Sequence, residues 1–115
     1  MSLIYLDYDF KDRNLVRRTL HKIKNKYSAV WVRLFISPSG RGYHIKFETE
    51  RDYSIRGLLN IRKELKDDPT RISMVDGVYR DVLFSMKMVD GIIMKEKELD
   101  VEQMYKYGKE VLING

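Results

Sequence analysis

Along residues 3–10 apolar and polar positions alternate, with Ile4, Leu6, Tyr8 and Phe10 on one side and Asp7 and Asp9 on the other. A period of two predicts a half-buried strand. Residues 11–27 change period, placing Leu15, Val16, Leu20, Ile23 and Tyr27 at helical spacing, so an amphipathic helix follows the first strand. Alternation returns in 29–36, where Val30, Val32, Leu34 and Ile36 oppose Trp31, Arg33 and Phe35. It continues in 43–48, where Tyr43, Ile45 and Phe47 oppose His44, Lys46 and Glu48. The segment 37–42, Ser-Pro-Ser-Gly-Arg-Gly, turns one strand into the other and predicts a hairpin. Thr49-Glu50-Arg51-Asp52 has the Thr-x-x-Asp character of a helix start, and Ile55, Leu58, Leu59, Arg62 and Leu65 carry that helix until just before Pro69. Asp76-Gly77 then divides two short runs, 71–75 and 78–86, into a second hairpin. Asp100 is placed to cap a last helix over 101–112, weakened inside by Gly108 by up to about 1 kcal/mol.

The order βαββαβ predicts an α+β fold, a ferredoxin-like or RRM-like antiparallel sheet with two helices on one face, extended by a β-hairpin and a C-terminal helix. In that arrangement the strands lie in the order fourth, first, third, second. If Ile4, Leu6, Tyr8 and Phe10 pack under the helices, Asp7 and Asp9 must face the other way. They then share the uncovered face with His44, Trp31, Arg33 and Phe35.

At 115 residues and 43% hydrophobic content the chain is expected to be a single domain, 1–115. No apolar run approaches the roughly 18 residues of a membrane span, and the N-terminus reaches Asp7 and Asp9 too soon for a signal peptide. The absence of cysteine removes disulfides, thiolate metal sites and a cysteine nucleophile. A cytoplasmic, intracellular protein with no membrane contact is the expectation. The net charge of +5 favours a polyanionic partner. Charge is also segregated, since Lys11, Arg13, Arg17, Arg18, Lys22, Lys24 and Lys26 crowd the first helix, whereas 96–110 carry Glu96, Glu98, Asp100, Glu102 and Glu110.

Candidate chemistry concentrates at two places. Asp7 and Asp9 lie on one face of a strand with Cα atoms roughly 6.6 Å apart, close enough to converge on one or two divalent cations. Gly40 and Gly42 let backbone N–H groups approach an anion, and Arg41 adds a planar charged fork. Each feature also has a plainer use. An Asp-x-Asp pair at a strand end often caps or solvates, and a lone histidine on a strand is more often hydrogen-bonded than catalytic. His21, on the basic helix, reads as simply exposed.

Taken in order, Tyr5-Leu6-Asp7-Tyr8-Asp9 and Ser39-Gly40-Arg41-Gly42-Tyr43-His44, followed by Asp68-Pro69-Thr70-Arg71-Ile72, resemble motifs in the catalytic core of archaeo-eukaryotic primases and primase-polymerases. The resemblance covers residues 3–86 at the level of motifs. It implies that Asp7, Asp9 and a downstream acid hold magnesium or manganese, the third ligand being Asp68, with Asp67 and Asp76 as alternatives. It further implies that His44 belongs to the catalytic group with these acids, and that Ser39, Gly40, Arg41, Gly42, His44 and Arg71 contact nucleotide phosphates.

The expected function is a small nucleotide- or nucleic-acid-binding replication protein of archaeal, viral or plasmid type, with metal-dependent nucleotidyl transfer as its chemistry. Nucleoside triphosphates and single-stranded DNA or RNA are the expected partners, the nucleic acid meeting Arg17, Arg18, Trp31, Arg33 and Lys46. The chain has no room for the extra catalytic subdomain usual in that family, so a replication partner protein that completes the site is expected rather than independent primer synthesis. The alternatives are a non-catalytic RRM-like binder of single strands and a small structural, self-associating module.

Overall fold

The first alternating run becomes β1 (Ser2–Tyr8), with Ile4, Leu6 and Tyr8 buried, in a computed structural model that describes residues 1–67 and 86–113. The helical run becomes α1 (Arg13–Asn25), whose first turn is closed by the Asp12 carboxylate accepting from the Leu15 N–H at 3.1 Å. Val16, Leu20 and Ile23 form its buried stripe. The two later alternating runs become β2 (Ala29–Ile36) and β3 (Tyr43–Thr49). Val30 departs from the expected alternation, because the register slips between Ala29 and Trp31 and the bulge leaves Val30 52% exposed.

The second helix, α2 (Ile55–Glu64), begins later than expected. Its cap is Ser54, whose hydroxyl accepts from the Gly57 N–H at 3.1 Å. Thr49 is instead the buried last residue of β3, its hydroxyl donating to the Arg51 carbonyl at 2.8 Å. This shift leaves Ile55 51% exposed, and the inward side is Ile61, Arg62 and Leu65 with Leu58 against the core.

The hairpin expected around Asp76-Gly77 lies outside the described residues. A hairpin the alternation did not single out joins β4 (Met86–Val89) to β5 (Ile92–Lys95). Both of its turn residues, Asp90 and Gly91, have positive φ, as a two-residue turn between twisted strands requires. Then come β6 (Lys97–Leu99) and α3 (Val101–Tyr107). Asp100 caps α3 as expected, accepting from the Gln103 N–H at 3.1 Å. Gly108 corrects the expected length, since at φ 65° it is the left-handed stop of the helix rather than a weak point within it.

Among the described residues four strands form one antiparallel sheet in the order β1-β3-β2-β6, and the fold is α+β of ferredoxin-like type. β3 lies between β1 and β2, as the element order predicts. The fourth strand expected beside β1 falls outside the described residues, while β6 occupies the far edge beside β2. Residues of α1, α2 and α3 meet Ile4, Leu6, Tyr8, Leu34, Tyr43, Ile45 and Phe47 in one core. Among the described residues no helix is long and apolar enough to cross a membrane.

The turn after α2 locks the edge of β1. Asp67 accepts the Asp7 N–H at 2.8 Å with one oxygen and Arg62 Nε at 2.7 Å with the other, and both side chains are almost fully buried. The Tyr8 hydroxyl donates to the Leu65 carbonyl and lies 3.1 Å from the Thr19 hydroxyl, tying the same turn to α1. Burial pushes the Tyr8 phenol well above its ordinary range. Asp67→Ala removes a buried partner of Arg62 and an acceptor of β1 together. The expected cost is about 3–5 kcal/mol, read as a lower urea midpoint with an unchanged slope.

Candidate nucleotide and nucleic-acid interface

The register of the central strands composes the outer sheet face row by row. Asp7 stands opposite His44, and His44 opposite Phe35. The next row is Tyr5, Lys46 and Arg33, and the third is Leu3, Glu48 and Trp31. Since the Asp7 N–H points outward to Asp67, the Asp7/His44 pair is a non-hydrogen-bonded one, whose side chains approach more closely than in the alternate pairs.

His44 is held from both sides. Its Nε2 is 3.4 Å from an Asp7 oxygen, and its Nδ1 is 3.0 Å from a Glu96 oxygen. Glu96 also accepts from Lys46 Nζ at 2.8 Å. Burial by itself would lower the His44 pKa, but hydrogen bonding and charge from Asp7 and Glu96 outweigh it and hold the imidazole above its ordinary value. Burial likewise works against the Glu96 charge. The hydrogen bonds from His44 and Lys46 overcome it and keep that carboxyl below its usual range.

The 37–42 turn meets this row at the end of β1. A Cβ on Gly42 would fall 1.7 Å from the Tyr8 carbonyl oxygen and 3.1 Å from the Asp9 carbonyl carbon, so only glycine lets the turn press against the β1 exit. Gly40, at φ 74°, has open space around it and supplies the reversal. The turn satisfies its own donors. Gly40 N–H donates to the Ser37 carbonyl at 2.8 Å, Arg41 N–H to Ser39 Oγ at 3.3 Å, and Gly42 N–H to Ser37 Oγ at 3.1 Å. Ser39 and Arg41 are exposed at its tip.

Three of the expected nucleic-acid residues lie together on the outer face. Arg33 sits 5.1 Å and Lys46 4.5 Å from the Phe35 ring centre, and the Lys46 ammonium is 5.9 Å from Tyr5. Trp31 is 36% exposed, whereas Phe35 and His44 are each only 5% exposed because neighbouring side chains close over them. This face is therefore less bare than the sequence predicts. Arg17 and Arg18 are on α1, which packs on the opposite side of the sheet. Arg17 donates to the Lys106 carbonyl at 3.0 Å, sealing the end of α3, while Arg18 is exposed. His21 is exposed as expected, yet its ring stacks on Tyr105 at 4.2 Å.

Asp7 and Asp9 offer the oxygen donors that magnesium or manganese prefers. Asp9 lies just beyond the last residue of β1 and is exposed. Among the described residues no group of three or more acids or histidines is disposed to hold a metal ion. Asp67 is engaged with Arg62 and β1, and Asp68, Arg71 and Asp76 lie outside the described residues. No protein-family model, curated protein or solved structure matches the chain. The functional reading therefore rests on the motifs and on the geometry that joins them.

Sequence reasoning missed the acids of the C-terminal segment as partners of the sheet, two of them on this outer face and Glu110 at the core-side Tyr43. Glu96 reaches His44 and Lys46, Glu98 grips Arg33 through two bonds of 2.8 and 2.7 Å, and Glu110 accepts from the Tyr43 hydroxyl. The Lys-Glu-Lys-Glu run at 95–98 carried a signal, since alternating charges beside a buried Leu99 suit an edge strand with one face on the sheet.

The raised His44 pKa fixes the direction of a pH effect. Its stabilisation is fully present below the unfolded value near 6.5 and is lost as pH rises through the higher folded value. Urea unfolding in EDTA should therefore show stability falling as pH climbs from 6.5, and His44→Gln should flatten that fall. An equal fall in the variant would assign the effect to other groups.

Proposed function

We propose that the chain is a small nucleotide- and nucleic-acid-binding replication protein built on a primase-like core, working in the cytoplasm. The observation that carries this reading is the β1-β3-β2 register. It brings the Asp-x-Asp strand, the Ser-Gly-Arg-Gly turn and His44 to one end of one sheet face, beside a row of Tyr5, Lys46 and Arg33. A single strand of DNA or RNA would run over the outer face, with bases against Trp31 and phosphates against Arg33 and Lys46. α1 lies on the far side, so Arg18 would act only through its long-range field.

The motif order favours a triphosphate site at the end of β1 as the second part of this function. Asp7 and Asp9, with an acid such as Asp68, would hold magnesium or manganese, and Arg41 and the Ser39 hydroxyl would meet the phosphates. The cation would supply charge neutralisation for the transferred phosphate and the leaving pyrophosphate. His44, poised between Asp7 and Glu96, would exchange a carboxylate partner for a phosphate oxygen. A non-catalytic binder of single strands is the other reading of the same face, favoured by the Arg33-Phe35-Lys46 cluster, which requires no metal.

Trp31 is the single tryptophan, so its fluorescence reports on the proposed surface directly. An oligo(dT) strand should quench it, with affinity falling as salt rises, and Arg33→Ala should reduce the logarithmic salt slope by about 0.7. Arg18→Glu should change affinity only modestly. No quenching and no binding at about 50 mM salt, where phosphate contacts are strong, would remove the nucleic-acid reading.

Calorimetry separates the metal-dependent part. Asp7→Asn with Asp9→Asn should abolish manganese-dependent triphosphate binding and leave oligo(dT) binding within about twofold of the wild type, as expected where no positive phosphate contact is lost. Equal triphosphate binding by the wild type and this double variant would leave the non-catalytic reading.

A further inference from the structure

We propose that Glu96 and Glu98 are an intramolecular stand-in for phosphate, occupying the basic rows of the outer sheet face until a single-stranded nucleic acid displaces them. The inference rests on the nucleic-acid reading above and adds its regulation.

Among the described residues the outer face of the three long strands carries three groups able to be cationic: Arg33, Lys46 and His44. Each is met by a carboxylate from the same short stretch. Glu98 grips the Arg33 guanidinium with two near-parallel bonds, at Nε and Nη2, the fork geometry by which arginine also takes phosphate. Glu96 divides its two oxygens between Lys46 and His44. The matching of acid to base is therefore complete on this face.

The stretch is also built to let go. β6 has three residues and pairs with β2 through Leu34/Leu99, Phe35/Glu98 and Ile36/Lys97. Its hold on the core is Leu99, which is buried, whereas Glu96 lies at the opposite end, between β6 and the β4-β5 hairpin. That hairpin forms a sheet of its own, and the second backbone neighbour of β6 among the described residues meets it only at its far end, where the Glu98 carbonyl accepts from the Ile113 N–H at 3.1 Å and Leu99 bridges Leu112, so release falls to the Glu96 and Glu98 side chains. Glu96 and Glu98 can turn away while Leu99 stays in place. The Arg33/Glu98 pair is largely solvated, and a strand that contacts several bases at once gains counterion release that one carboxylate does not.

The test uses fluorescence anisotropy of labelled oligo(dT) with Glu98→Gln, Glu96→Gln, the double variant and Glu50→Gln. The last is an exposed acid on the loop after β3 and controls for the change in net charge. Each single Glu→Gln change at 96 or 98 should tighten binding by about threefold and leave the logarithmic salt slope nearly unchanged, because the same phosphate contacts form without a carboxylate to displace. The double variant should gain about tenfold, against less than about twofold for Glu50→Gln. In the wild type, hydrogen exchange at residues 96–98 should rise when oligo(dT) binds. Binding by the double variant equal to that of Glu50→Gln, with exchange at 96–98 unchanged in the complex, would overturn the proposal and leave the nucleic-acid reading standing. Absence of oligo(dT) binding in both wild type and double variant would overturn the two together. Glu98→Gln alone keeps the test decisive if the partly buried Glu96 site proves sensitive to substitution.

Discussion

The antiparallel pairing of β1 with β3, running from Ser2 opposite Thr49 to Tyr8 opposite Tyr43, is the constraint on which the other features depend. A slip of one residue would send Ile4, Leu6 and Tyr8 to the outer face and bury Asp7 under the helices. The core opposes such a slip, since those three side chains fill the space beneath α1 and α2. Two local devices fix the same register from outside the core. Asp67 receives the Asp7 N–H on the side of β1 away from β3, and the bare backbone of Gly42 admits the Tyr8 carbonyl at a distance no other residue permits. The closeness of Asp7 to His44 is thus a consequence of packing the opposite faces of the two strands under the helices, and no side-chain attraction need create it.

Charge follows from the same geometry. A protein with 22 basic and 17 acidic residues could scatter them, yet the C-terminal segment returns its acids to bases far away in sequence. Glu96 and Glu98 cover the outer face, while Glu102 meets Lys24 and Glu110 approaches Lys11 at 3.5 Å. Bases on α1 reciprocate by closing the end of α3, where Arg17 takes the Lys106 carbonyl and Arg13 reaches the Gly108 carbonyl. Most of these pairs are solvated, so their separate contributions to stability are small. Their collective effect is to lower the positive potential that the sequence alone suggests for α1 and for the sheet.

Periodicity made the first half of the chain legible. The hydrophobic alternation of β1, β2 and β3 is unbroken except at the bulge before Trp31, and the hairpin between β2 and β3 allows one register once a face is buried. That is why Asp7, His44, Phe35, Arg33 and Lys46 could be assigned to a common face from residue order. The start of α2 was not legible in the same way. Thr49 and Ser54 both precede a helical run and both are sound caps, and the choice between them turns on whether Thr49 is claimed by the sheet, a long-range matter. Likewise Glu96 and Glu98 sit in a stretch of alternating charge that resembles a solvated surface. Their partners are 50 and 65 residues away, beyond any local pattern.

The 37–42 turn shows how a motif can keep its residues and change the part they play. A phosphate cradle needs backbone N–H groups directed at the anion. Here the Gly40, Arg41 and Gly42 N–H groups are answered within the turn by the Ser37 carbonyl and the Ser37 and Ser39 hydroxyls, and Gly42 is buried against β1. An anion competing for the Gly42 N–H would have to part the turn from the β1 exit, which the close contact with Tyr8 opposes. The groups the turn can offer without rearrangement are the Arg41 guanidinium and the Ser39 hydroxyl, both at its exposed tip. In the proposed site, phosphate recognition therefore falls to side chains, and the glycines serve to bring the end of the Asp-x-Asp strand and the start of the histidine strand into contact.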